Sequence, residues 1–240
     1  MSDVTRPGAG PVIGVVGGSG GVGASMFAAV LAVRAAAVLI DLDVTGGGID
    51  VLLGLETEPG ARWSGLHLAG GHLEPEALRA GLPRAGPCAV LAADVGELDP
   101  EAVGQVLGAA AALGPVVLDL PRAAVVERAA ALLRCDLVVV LARADVAGLV
   151  SAHVLVDALP ELPLGIVLRR ADVDVTRAAQ CLDVPCLGVL PPRAAVGRRF
   201  EMSRLPRATV RVADGVLAGA TGRAWPAGQA PPARRALVLA

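Results

Sequence analysis

Short apolar runs of five or six residues alternate along the chain with longer stretches in which apolar residues recur at helical spacing. Because the runs are almost entirely apolar, they are typical of parallel strands that are covered on both faces. They predict seven strands, at residues 12–16, 37–42, 88–92, 116–120, 137–142, 164–168 and 186–190. The stretches between them predict helices at about residues 23–35, 75–81, 100–113, 123–133, 146–159 and 175–182. This order predicts an α/β fold with a doubly wound, mostly parallel sheet of about seven strands and helices on both faces.

The length of 240 residues suits one domain of this kind. We expect a flexible N-terminus over residues 1–10 and the folded domain over residues 11–205. After Pro206 the periodic pattern fades, and from about residue 219 Gly, Pro, Ala and Arg dominate. We therefore expect residues 206–240 to form a C-terminal segment that ends in a disordered tail.

Charge and hydropathy exclude some function classes. The formal net charge of -2 provides no basic field for a phosphate backbone, so we expect no specific nucleic acid partner. No apolar run is long and uninterrupted enough to span a membrane, and residues 1–10 lack the order of a signal peptide. These features predict a cytoplasmic protein. Two arginines before a short apolar run at residues 234–240 allow peripheral membrane contact at most.

A glycine-rich segment lies between the first predicted strand and the first predicted helix. Its glycines stand at positions 17, 18, 20, 21 and 23. Such a loop lets several backbone N–H groups converge on a phosphate, and the helix N-terminus adds partial positive charge. Gly18-x-Gly20-x-x-Gly23, followed by Asp41 and Asp43, also satisfies the dinucleotide fingerprint of oxidoreductases. A tight turn without a ligand is a third interpretation, and the loop alone leaves all three open.

The segments after the second predicted strand decide between these interpretations. The first of these segments is Asp41-Leu42-Asp43, which is followed by Gly46-Gly47-Gly48-Ile49-Asp50-Val51-Leu52-Leu53-Gly54-Leu55-Glu56. The second is the predicted strand 116–120, with Asp119 near its end. The third is Pro-Cys-Leu-Gly-Val-Leu-Pro at residues 185–191. These stretches closely resemble the MinD/ParA/CpaE superfamily of P-loop ATPases, whose deviant Walker A loop is written K-G-G-x-G-K-[ST]. The resemblance covers about residues 11–205 and is strongest to actinobacterial CpaE-like septum site-determining proteins.

The resemblance implies roles for individual residues. Ser25, Asp41 and Asp119 match positions near Mg²⁺, and Asp43 matches the carboxylate that orients the attacking water. ATP or ADP would be held by the loop Gly18, Ser19, Gly20, Gly21, Val22, Gly23, Ala24 and Ser25. The alternative is a purely structural role for each residue: Ser25 would cap a helix, and the three acids would be ordinary polar residues at strand ends.

The loop departs from the family pattern at both of its lysine positions, which are Ser19 and Ala24 here. The 21 positive residues are all arginine, so no lysine elsewhere in the chain replaces them. Because phosphoryl transfer depends on electrostatic stabilisation, we expect weak or lost ATP hydrolysis. Where the family often places an adenine-reading Asn, the chain has Arg169 and Arg170, so base specificity is left open.

The function that the resemblance implies is spatial regulation, either septum-site determination or the positioning of a pilus or secretion apparatus. Expected partners are proteins of those machineries, with recruitment to septum, pole or membrane and a homodimer left open. The arginine pairs 169/170 and 198/199 are candidates for a partner-binding face. Two alternatives remain, an active ATPase that uses a substitute cation and a Rossmann-type oxidoreductase. Short-chain dehydrogenase chemistry is excluded because the chain has neither Tyr nor Lys.

Overall fold

The computed structural model describes residues 9–66, 73–94, 96–126, 131–159, 162–171, 174–192, 200–201, 203 and 205–220. The strands in this part of the chain are β1 (Val12–Gly17), β2 (Val38–Asp41), β3 (Arg84–Ala85), β4 (Cys88–Leu91), β5 (Val116–Leu120), β6 (Leu137–Ala144), β7 (Leu164–Ala171) and β8 (Cys186–Leu190). The helices are α1 (Ala24–Ala35), α2 (Ile49–Leu53), α3 (Pro75–Gly81), α4 (Pro100–Leu113), α5 (Arg122–Val126), α6 (Val146–Ala158), α7 (Val175–Leu182) and α8 (Arg207–Ala220). Two 3-10 turns, Trp63–Gly65 and Leu132–Arg134, complete the regular elements.

All described strands form one sheet in the order β3-β4-β2-β5-β1-β6-β7-β8. Every pairing in it is parallel except that of β3 with β4. The prediction of a doubly wound, mostly parallel sheet is confirmed, and each of the seven predicted strands is present. The eighth strand, β3, has only two residues, which is too short for a periodic pattern to reveal.

Helices cover both faces of the sheet, and alternate residues of each strand point into two separate apolar layers. One layer joins residues such as Val16, Val138 and Val140 to side chains of α3, α4, α6 and α7. The other joins Ile13 and Val139 to α1, α2 and α8. This double burial explains why the strands are apolar at nearly every position. Among the described residues, no helix is both long and apolar enough to cross a membrane.

Two helices lie where the sequence pattern predicts none. Helix α2 has five residues and follows three glycines. Helix α8 packs against α1 and β8 and buries Thr209, Ala213 and Val216, so the packed domain continues past residue 205. The predicted tail falls on α8 at residues 219 and 220, and its remainder lies outside the described residues. The middle of predicted helix 123–133 also lies outside them, between α5 and a 3-10 turn.

Close packing of α6 on β6 gives a testable contrast between two helical glycines. A Cβ built at Gly148 would lie 2.4 Å from the carbonyl oxygen of Arg143, whereas one built at Gly108 in α4 would meet no atom within 4 Å. We expect Gly148→Ala to lower the free energy of unfolding by roughly 1–3 kcal/mol, because backbone must move to admit the methyl group. Gly108→Ala, the matched control, should raise it by up to about 1 kcal/mol through helix propensity.

Urea denaturation followed by circular dichroism measures both changes. Equal effects of the two substitutions would show that α6 does not approach β6 as closely as described.

Candidate functional site

The glycine loop lies at the carboxyl end of β1, which is the point where the strand order reverses. Strand β1 is central, with β5 on one side and β6 on the other. Ligands of open α/β sheets bind at such a switch point. The loop leaves β1 after Gly17 and enters α1 at Ala24, with Gly23 as the N-cap residue. The predicted loop therefore occupies the position in the fold that favours ligand binding.

The backbone of the loop uses conformations that require glycine. Gly21 has φ +71° and Gly23 has φ +93°, both in the left-handed region. Gly20 and Gly21 face open space, since a Cβ built at either would meet nothing within 4 Å. Within the described residues, no side chain caps the first turn of α1, so its N–H groups remain available as donors. A buried Ser19 Oγ, which lacks a hydrogen-bond partner in the described part of the chain, adds a further polar group. This donor set fits an anion such as a phosphate.

Asp119 and Ser25 come together below the loop. Asp119 lies in β5 beside Asp41 of β2, with their Cα atoms in register. Burial raises the pKa of Asp119 to about 7; the nearby Ser25 side chain lowers it, and the charges of Asp41 and Asp43 raise it further. A hydroxyl beside a carboxylate is a donor set that Mg²⁺ takes together with phosphates and water. The residues present thus fit the metal end of a nucleotide site.

Asp41 is buried at the carboxyl end of β2, where its side chain accepts hydrogen bonds from the backbone. One of its carboxylate oxygens accepts the N–H of Asp43 at 2.9 Å, and the other accepts those of Ile49 at 3.0 Å and Ala93 at 3.4 Å. Its carbonyl oxygen accepts a 2.8 Å hydrogen bond from Nε1 of Trp63. Burial raises the pKa of Asp41, although the three backbone donors oppose that rise. Asp41 therefore joins three segments of backbone, and its role near Mg²⁺ stays a prediction.

Asp43 lies just beyond β2, at the same edge of the sheet. Its Oδ1 accepts hydrogen bonds from the backbone N–H of Thr45 at 3.1 Å and from its hydroxyl at 2.7 Å. These contacts hold the carboxylate near Asp41 and Asp119, whose pKa values both respond to its charge. The described residues contain no group of three or more His, Cys, Asp or Glu side chains that could hold a metal ion without help. A metal here would depend on phosphate and water ligands.

Arg122 and Ser151 are site residues to which the sequence analysis assigns no role. Nη1 of Arg122 donates to the carbonyl oxygen of Gly18 and, at 3.1 Å, to Oγ of Ser151. The Ser151 hydroxyl donates to the same Gly18 oxygen at 2.6 Å, and Nη2 of Arg122 reaches the Ser151 carbonyl at 3.3 Å. Together they clamp the start of the loop to α5 and α6. The sequence could have indicated Arg122 as a site residue, because it lies only two residues after the end of β5, the strand that carries Asp119.

Arg169 lies against the other end of the loop. A Cβ built at Gly23 would be 3.0 Å from its Nη2, and its Nη1 donates to the Pro191 carbonyl oxygen at 3.4 Å. Arg169 is half-buried and its guanidinium is directed at the glycine loop, while the partner-binding role of the pair 169/170 stays a prediction. Arg198 and Arg199 lie outside the described residues.

No protein-family model matches the chain. Two curated relatives from Mycobacterium tuberculosis, "Uncharacterized protein MT3760" of strain CDC 1551 / Oshkosh and "Uncharacterized protein Rv3660c" of strain ATCC 25618 / H37Rv, are each 42% identical over 198 residues. The match takes in 80% of this chain but 57% of each relative, so the chain spans little more than half of their length.

Solved structures match this chain over nearly their whole length. A ParA family ATPase from Chlorobium tepidum TLS superposes with TM-score 0.69 at 17% identity, over 86% of this chain and 98% of that one. The MinC:MinD cell division complex of Aquifex aeolicus gives 0.68 at 17%, over 92% and 99%. This chain has the MinD/ParA fold. A third structure with that fold, the septum site-determining protein MinD of Pyrococcus horikoshii OT3 with Mg-ADP, gives 0.61 at 17%, over 89% and 98%.

The raised pKa of Asp119 predicts how stability depends on pH when neither nucleotide nor Mg²⁺ is present. Between the unfolded value of 3.8 and the folded value of about 7, the folded protein keeps a proton that the unfolded chain releases. The free energy of unfolding should therefore fall as pH rises from 4 to 7 and level off above, by a few kcal/mol at most. Asp119→Asn cannot titrate and should lack this component.

Chemical denaturation of both proteins between pH 5 and pH 8 measures the difference, because the other titrating groups are common to the two. Parallel curves would contradict the prediction.

Proposed function

We propose that this chain is a MinD/CpaE-like spatial regulator, acting in septum-site determination or in the positioning of a pilus or secretion apparatus, with weak or absent ATP hydrolysis. One observation carries the proposal: the chain keeps the fold, the glycine loop and the Ser25–Asp119 contact, yet neither Ser19 nor Ala24 brings a cation to the loop. Binding and hydrolysis place different demands on such a site, and the missing charge affects hydrolysis most.

Nucleotide binding is the part of this proposal for which the loop offers the most support. A nucleotide with Mg²⁺ would place its phosphates against the loop N–H groups and its metal beside Ser25 and Asp119. The metal would neutralise phosphate charge and polarise the transferred group. Ala24 stands at the first position of α1, where a lysine would add a second cation, and its methyl group cannot.

Protein partners are the second part of the proposal. The MinD of Aquifex aeolicus is solved in complex with MinC, which supports a partner-binding role for the fold. Val146, Val150 and Val154 are 77%, 60% and 52% exposed along α6, and exposed apolar side chains in a row favour protein binding. The same helix carries Ser151, which contacts the loop. A homodimer and recruitment to septum, pole or membrane are part of the same proposal.

An oxidoreductase has less support. A dinucleotide site needs an acid after the second strand that is free to bind a ribose hydroxyl. Asp41 is only 2% exposed, and both of its carboxylate oxygens accept backbone N–H groups. Asp43 is the other candidate for a ribose-binding acid, and its carboxylate already accepts a hydrogen bond from the Thr45 hydroxyl.

Restoring the loop lysine tests the catalytic part of the proposal. The wild-type protein should hydrolyse ATP very slowly, and Ala24→Lys, alone or with Ser19→Lys, should raise ATP affinity or turnover. The lost lysine accounts for a factor on the order of a thousand in rate. Steady-state phosphate release measures turnover, and Asp43→Ala in the lysine background, the matched control, should remove the gain.

Two outcomes would contradict this. One is ordinary turnover by the wild-type protein that Asp43→Ala abolishes. The other is a folded double-lysine variant that changes neither affinity nor turnover.

Imaging of septum or pilus placement tests the cellular part. Cells that carry Asp43→Ala should resemble wild type, because a binding surface needs no turnover. Cells that carry Val150→Asp or a double Arg198/Arg199 replacement should resemble the deletion, because these changes alter the proposed partner surfaces. A defect from Asp43→Ala equal to deletion, with normal placement in the surface variants, would instead indicate a working nucleotide switch.

A further inference from the structure

Two arginines contact the glycine loop from opposite sides. Arg122 reaches Gly18 at the start of the loop, and Arg169 reaches Gly23 at its end. Arg122 directs both terminal nitrogens to protein oxygens, those of Gly18 and Ser151. Its task is to fix the loop. Arg169 presents Nη2 to the surface of Gly23, beside the first turn of α1.

The position of Arg169 follows from strand register. It lies at the carboxyl end of β7, opposite Arg143 of β6 and Leu190 of β8. Its Nη1 is held by the Pro191 carbonyl oxygen just after β8, which directs the rest of the guanidinium back across the sheet edge to the loop. Gly23 has no side chain, so the guanidinium can approach its Cα closely. The register of β7, the hydrogen bond to Pro191 and the missing side chain of Gly23 together place a cation at the N-terminus of α1.

We propose that Arg169 supplies the positive charge to a polyphosphate held by the glycine loop, a charge that Ser19 and Ala24 cannot supply. This inference rests on the proposed function, since it assigns a binding residue to the same site. A guanidinium recognises phosphate oxygens through paired N–H donors and stays charged at every physiological pH.

The polyphosphate could belong to a nucleotide or be inorganic, and the choice of probes separates the two. Isothermal titration calorimetry on the full chain, with Mg²⁺ present, should use ATP in one series and inorganic tripolyphosphate in another. We expect the wild-type protein to bind both. Arg169→Ala should weaken both by about tenfold or more, the loss expected when a charged hydrogen-bonding partner is removed.

Arg143→Ala is the matched control, because Arg143 lies in register with Arg169 near the end of the neighbouring strand β6, but its side chain is 55% exposed and paired with Asp145 at 3.0 Å. The Arg143→Ala variant should bind ATP and tripolyphosphate with the same affinities as the wild-type protein. Arg169→Gln keeps a donor for the Pro191 carbonyl without the charge, and it replaces Arg169→Ala should that variant melt before the titration temperature. Binding by wild type should also fall more steeply with added NaCl than binding by Arg169→Gln.

The inference is overturned by any of three results. Wild type that binds neither probe has no polyphosphate site. Arg169→Ala and Arg169→Gln that bind both probes as tightly as wild type show that the charge comes from elsewhere. Loss of ATP affinity with tripolyphosphate affinity unchanged shows that Arg169 contacts the base. These results are distinct from failure of the proposed function, which appears as fast hydrolysis by wild type or as the nucleotide-switch pattern in cells.

Discussion

Parallel pairing of β1 with both β5 and β6 is the constraint on which the site depends. Because parallel strands end at the same edge of a sheet, the residues after β1, β2, β5 and β7 meet there although they are far apart in sequence. The loop, the acids and Arg169 are assembled in this way. Their order along the edge follows from the order of the strands, which this chain shares as a fold with solved MinD and ParA structures at 17% identity.

This arrangement buries the carboxylate of Asp41, which is unfavourable unless hydrogen bonds compensate. A carboxylate that is 2% exposed is stable there only because backbone donors from three segments satisfy it. In return, it connects the ends of β2 and β4 with the start of α2, a helix too short to be stable without tertiary contacts. Asp41 is therefore needed for local structure whether or not a metal binds. Asp119 differs, since the neighbour that lowers its pKa is the side chain of Ser25 and not a backbone N–H group.

Much of the fold could be predicted because the strands are buried on both faces. Strands 116–120 and 186–190 were predicted with the bounds that the structure gives them, since each apolar run is bounded by Pro, Gly or polar residues. Helix α8 was missed because Gly215, Gly219 and two arginines weaken its periodicity, although Ala213 and Val216 are buried against the second core layer. The loop could be recognised from its glycines, and the acids from the resemblance, although their roles stay predictions. The contact of Arg169 with the loop could not be predicted, because spacing does not show which way a side chain turns near a strand end.

The loop conformation depends on contacts that contain no lysine. The Gly18 carbonyl is held by Arg122 and Ser151, the Gly18 N–H donates to the Leu141 carbonyl at 2.8 Å, and the Gly23 carbonyl accepts the N–H of Phe27 in α1 at 3.1 Å. None of these bonds uses the side chain of Ser19 or Ala24, so the residue types at these two positions bear on the charge of the loop more than on its shape. Shape and charge are separable here because different residues supply them. A chain can then lose the electrostatic stabilisation that turnover needs while its preorganised N–H groups still bind an anion.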